Sequence, residues 1–223
     1  VEWDWEKSEA EFIKSLAGNP NHSLSHAYYG HLLLIVRRFE EAVKEVNTAL
    51  DLDPNNPLVL SLAGVVHFHT GDTERAFELL NRSYQIDPNN ILNHRIIETY
   101  HFQAEEYDEA LEMQKKILQS DPASRQAMEE AYTNGDYLKA MQALARAKES
   151  LSKDQFVAPV WVALAYNRAG LHAEAIQWLE RGFQMHDQDL PYVFIVKEFN
   201  SLRQDPRFGQ IAQKMNLAFE ETS

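Results

Sequence analysis

Nine histidines and a long series of carboxylates are the residues of this chain that could do chemistry. His67 and His101 stand 34 residues apart, with His31 and His69 close by in the pattern. Imidazoles brought side by side could hold a metal or change charge near neutral pH. His67 and His69, two residues apart, face different sides of a helix and are no ligand pair. The acids are Glu40, Glu41 and Glu45, then Glu105, Glu106, Asp108, Glu109 and Glu112. Paired acids work as general acid and base when one is buried and its pKa is raised. These acids fall at turns and near helix starts, where a solvated negative face is favoured. No Ser-His-Asp order, HExxH, P-loop or GxGxxG occurs, and there is no cysteine. The expectation is therefore no enzyme, no catalytic residue, no metal site and no cofactor, with the histidines filling space between helices.

The elements that place these side chains follow a ruler. Asp53-Pro54-Asn55-Asn56 returns as Asp87-Pro88-Asn89-Asn90, 34 residues on, and Pro20 and Pro122 continue the series in both directions. A fixed period of this length marks a stacked helical repeat. Proline closes each unit because it cannot continue a helix and turns its neighbour away from helical backbone. With that proline as position 32, position 20 is Ala42, Ala76 and Ala110, with Ser8 in a partial first unit. Position 8 is Gly30 and Gly64, then Glu98. Small residues there allow two antiparallel helices to approach closely. Trp5, Phe39 and Tyr107 share position 17.

These residues resemble the tetratricopeptide pattern of Gly at 8, Ala at 20 and Pro at 32. The resemblance implies an all-α fold, a right-handed α-solenoid of helix-turn-helix repeats with an irregular C-terminal capping segment. Residues 1–22 are read as a partial repeat (second helix only), 23–124 as three regular repeats, 125–190 as two degenerate units and 191–223 as the cap. That lone second helix spans 3–18, with Trp5, Phe12 and Leu16 on an inner face that nothing before it covers. The chain reads as a fragment of a longer protein on that ground. In the fourth unit Glu98 and Gln114 depart from the small and apolar residues expected, which leaves its packing open. Gly135-Asp136-Tyr137 forms a turn four residues earlier than the period requires, so the fifth unit has a short first helix. Asp205-Pro206 signals a last helix over about 206–216, burying Phe208, Ile211 and Met215.

The run Ala175-Ile176-Gln177-Trp178-Leu179-Glu180-Arg181-Gly182-Phe183 and the later Leu202-Arg203-Gln204-Asp205-Pro206-Arg207-Phe208 are similar to the C-terminal tetratricopeptide segment of bacterial multidomain regulators. Those regulators are winged-helix activators, nucleotide cyclases and serine/threonine kinases. The likeness implies an auxiliary interaction module, cytoplasmic in most such parents and periplasmic in membrane-anchored ones. Its partner would be a protein or peptide, or a domain of the same full-length chain. A self-associating or effector-sensing scaffold, with a homodimer formed through the N-terminal end, is the second expectation. A formal charge of −13 excludes a basic face for nucleic acid or an anionic membrane.

In this family the concave groove is lined from positions 2, 5, 9, 12 and 13 of the first helices. By resemblance these are Leu24, Ala27, His31, Leu34 and Ile35; Leu58, Ser61, Val65, Phe68 and His69; Leu92, Arg95, Thr99, Phe102 and Gln103. Tyr132 represents the fifth unit, and Leu164, Asn167 and Arg168 the sixth. Ala27, His31 and Val65 stand where a basic and amide clamp would be needed for a terminal carboxylate. An apolar and aromatic strip suits a hydrophobic helix or extended peptide instead.

Overall fold

A computed structural model describes residues 3–132 and 136–218. Every regular element among them is helical: α1 (Trp5–Gly18), α2 (Ser23–Ile35), α3 (Phe39–Leu52), α4 (Pro57–Thr70), α5 (Thr73–Ile86), α6 (Ile91–Gln103), α7 (Tyr107–Ile117), α8 (Pro122–Ala131), α9 (Tyr137–Leu151), α10 (Pro159–Arg168), α11 (His172–Met185) and α12 (Pro206–Lys214). Two 3-10 turns, Leu190–Phe194 and Lys197–Leu202, stand between α11 and α12. The chain divides into two compact units, one running to Ile96 and one beginning at Ile97.

Each helix begins and ends for local reasons. Asp4, Asn56, Asp72, Asp121, Asp136 and Asp205 accept a backbone N–H in the first turn that follows them. Pro57, Pro122, Pro159 and Pro206 open α4, α8, α10 and α12, where a missing N–H costs nothing. First helices close on a residue in left-handed backbone, namely Arg37, Gly71, Glu105 and Gly170. The next N–H then bonds back five residues: Arg38 to Leu33 O at 2.8 Å, and Asp72 to His67 O, Glu106 to His101 O and Leu171 to Tyr166 O at 2.9 Å. This is the helix stop that favours glycine, used in the four hairpins whose turns are described. Gly135, expected in the corresponding turn, lies outside the described residues.

In the first unit, α2 pairs with α3, α4 with α5, and α1 lies against α2. The small residues do what their positions suggest. A Cβ on Gly30 would stand 2.6 Å from Val46 Cγ1 and 3.1 Å from Ala42 O, and one on Gly64 would stand 2.9 Å from Leu80. Ala42, Val46, Ala76, Leu79 and Leu80 have no exposed surface. Each large apolar side chain removed from water in this way stabilises the stack by about 2 kcal/mol. By contrast α1 buries no residue fully. Phe12 stacks on Tyr29 at 5.7 Å, while Ile13 on the same helix is 54% exposed.

In the second unit, α8 pairs with α9, α10 with α11, and α10 also packs on α9. The first helix of the fifth hairpin, α8, has 10 residues where α4 has 14, so the early turn is a genuine shortening. Ala110 is fully buried, and Gln114 is buried too. The last helix ends at Lys214, and Phe208, Ile211 and Met215 are buried as the pattern requires. The 3-10 turns were not legible in sequence. Asp187 holds the entry to them, accepting from Val160 N at 2.9 Å and Asp189 N at 3.0 Å.

Candidate protein-binding face

Building from the first helices of the first unit, the positions expected to line the groove separate into two sets. Leu24, Ile35, Leu58, Phe68, His69, Leu92 and Arg95 are half-buried and so retain surface for a partner. Leu34 is fully buried, and Val65 and His31 are 3% and 6% exposed, so these three positions serve packing in this conformation. The reason is geometric: α2 lies against α4, and that contact consumes the side chains facing it. His31 Nε2 bonds the carbonyl oxygen of Leu62 at 2.9 Å, and burial holds its pKa down to about 4. Ser61, also expected in the groove, is buried in a polar knot. Its Oγ lies 2.8 Å from Ser83 Oγ and 2.7 Å from Asn93 Oδ1, and Asn90 donates to it at 3.0 Å.

His67, His101 and His26 also meet neighbours within their own unit. His67 Nε2 lies 3.2 Å from Asn47 Oδ1, and its Nδ1 lies 3.4 Å from Asp72. His101 Nδ1 meets Glu106 at 2.6 Å, the same five-residue step across a hairpin turn. His26 Nδ1 meets Glu45 at 2.6 Å. Burial lowers the pKa of His67, with the Asp72 charge opposing it. Among the described residues no three His, Cys, Asp or Glu side chains converge as metal ligands.

In the second unit, Phe102 and Tyr132 are half-buried. Tyr132 donates to Asp108 at 2.5 Å, and that bond pushes its pKa up to about 12. Phe102 faces inward rather than outward. Its ring centroid lies 4.6 Å from the Arg168 guanidinium carbon and 5.7 Å from the Tyr137 ring. Arg168 itself is fully enclosed. It bonds Glu198 through Nη2, at 3.0 and 3.1 Å, and Glu98 through Nη1. Beside it, Asn167 donates to Glu198 O at 2.7 Å and accepts from Ser201 at 2.9 Å. The inner positions of α10 are thus taken by the chain's own Lys197–Leu202 turn.

Sequence reasoning missed this cluster, although both ends of it had been marked. Glu98 stood out as a departure at a small-residue position, and Arg168 as a groove position. Nothing in a 34-residue period links residues 70 apart in sequence.

Comparison with known proteins bears on the same elements. The tetratricopeptide repeat family model matches residues 4–91. That match covers less than half of the chain. The close-packed Gly30, Gly64, Ala42 and Ala76 all lie within the matched residues. No curated protein matched the sequence significantly. Among solved structures, the human IFIT1 dimer with m7Gppp-AAAA is similar over 97% of this chain and 55% of its own, at 18% identity and a TM-score of 0.54. Yeast Tom70 is similar over 93% of this chain and 46% of its own, at 16% identity and a TM-score of 0.51. MamA is matched over 85% of this chain and 92% of its own, at 16% identity and a TM-score of 0.46. The chain spans about half the length of IFIT1 and Tom70. The likenesses to IFIT1 and Tom70 show the all-helical repeat fold. No helix among the described residues is long and apolar enough to cross a membrane.

Proposed function

We propose that this tetratricopeptide chain is a non-catalytic protein-binding module of a signalling or transcription regulator, taking an apolar peptide or helix along the first helices of its first unit. The observation that carries the reading is the half-buried strip of Leu24, Ile35, Leu58, Phe68 and Leu92 on α2, α4 and α6. Leu24, Leu58 and Leu92 share one register of successive first helices and offer evenly spaced contacts, with Ile35 and Phe68 toward the far ends of α2 and α4, as a helix or extended peptide requires. The bacterial-regulator context rests on resemblance alone.

The test is a peptide-display selection on the whole chain, followed by affinity measurement on the double substitution Phe68→Asp and Leu92→Asp. Loss of at least about tenfold in affinity, with an unchanged helical spectrum, supports the strip. Selected peptides that bind both proteins equally well would remove it.

A second reading has its own observation. α1 buries no residue fully and leaves Ile13 exposed, as expected of a helix with one uncovered face. Self-association through α1 would cover that face. Sedimentation of the wild type and of Ile13→Lys discriminates: a monomer in both cases counts against it.

A further inference from the structure

Among the described residues, Arg168 is the one cation bonded to Glu98 and Glu198 in a buried cluster. The Glu98, Glu198 and Arg168 side chains are 3%, 2% and 2% exposed. They come from three separate elements, α6, the second 3-10 turn and α10. Glu198 takes the guanidinium edge with both oxygens, leaving Glu98 a single bonded nitrogen. The groups facing Glu98 are Arg168 from α10, Glu198 from the 3-10 turn and Tyr137 from α9. Tyr137 stays a neutral phenol, since burial raises its pKa further. With both acids ionised the cluster would carry one uncompensated negative charge away from water, a costly arrangement.

We propose that this cluster is a proton-binding latch, in which Glu98 and Glu198 compete for one guanidinium and Glu98 carries a proton, and whose deprotonation loosens Lys197–Leu202 from α10. A neutral carboxyl at Glu98 balances the charge, while Glu198 keeps its ion pair. Burial, first, and the Glu198 charge raise the Glu98 pKa, and Arg168 opposes them. The sign follows. Below the ordinary Glu value of 4.5 the group is protonated folded or unfolded. As pH rises through the higher folded value, the folded state must give up a proton and bury a charge. Stability tied to this group is therefore present on the acid side and is lost toward alkaline pH. Asn167 and Ser201 hold the same turn by uncharged bonds, so the turn loosens without unfolding the unit.

Hydrogen exchange of the amides of residues 197–202, corrected for intrinsic rate, tests this from just above the ordinary Glu value of 4.5 up to about pH 9 in wild type and Glu98→Gln. Wild type should lose about tenfold in protection over that range, and the Gln variant, neutral throughout, should lose little. Equal loss in both proteins would overturn the latch. Should Glu98→Gln fail to fold, infrared spectra of wild type with labelled glutamate decide the question. A protonated carboxyl band at neutral pH that vanishes at alkaline pH supports the bound proton, and ionised bands alone throughout contradict it.

Discussion

His31 donates through Nε2 to the carbonyl oxygen of Leu62, 2.9 Å away, from inside the contact between α2 and α4. Burial is the larger influence and depresses the pKa from 6.5 to about 4, with the Leu62 bond opposing it. The ring is thus neutral when folded but charged when unfolded between those values. Its contribution is complete above about pH 6.5 and disappears as pH falls toward 4, a loss of about 3 kcal/mol at most. Urea unfolding of wild type and His31→Gln between those pH values checks this. The substitution should flatten the acid dependence of the first unit.

Three glycines make a graded series. Gly30→Ala places a Cβ 2.6 Å from Val46 Cγ1, and Gly64→Ala places one 2.9 Å from Leu80. Each should cost about 1–3 kcal/mol, because the helix axes must separate. Gly18, in α1, has nothing within 4 Å of an added Cβ, so Gly18→Ala should stabilise by about 0.5 kcal/mol. Thermal melts of the three variants should rank in that order.

Arg37 and Glu105 carry left-handed backbone, φ 65° and 59°, where Gly71 and Gly170 serve the other hairpins. A side chain in that region costs about 1–2 kcal/mol, and glycine repays part of this in unfolded-state entropy. Arg37→Gly and Glu105→Gly should each raise stability by about 0.5–1 kcal/mol in urea titrations. A loss in both would mean that side-chain contacts outweigh the backbone term.

The attachment of α1 depends on few groups. Glu9 accepts from Tyr29 at 2.7 Å and from Arg38 at 2.5 Å, and these bonds lower its pKa, Tyr29 first. Glu9→Ala should fray α1, costing about 1 kcal/mol at this partly exposed site. Amides of residues 5–18 should then exchange faster, while those of α4 and α5 stay protected.

The repeat was readable because helix approach demands small residues at fixed steps, as at Gly30, Gly64, Ala42, Ala76 and Ala110. Helix limits followed from Asp, Asn and Pro signals that act within one turn. The candidate face was readable only by half. Leu34 and Val65 share the apolar character of Phe68, and sequence alone does not say which of them a neighbouring helix covers. The Glu98–Arg168–Glu198 cluster lay beyond reach for another reason. Its members belong to different hairpins and to a turn without periodicity, so no local rule joins them.

The central claim is that successive first helices of the first unit hold a partner peptide. Amide and methyl chemical shifts of the whole chain, recorded while a display-selected peptide is added, test it most directly. The largest changes should fall at Leu24, Ile35, Leu58, Phe68 and Leu92. Changes confined to the outward residues of α3 and α5, with those five unmoved, would contradict it.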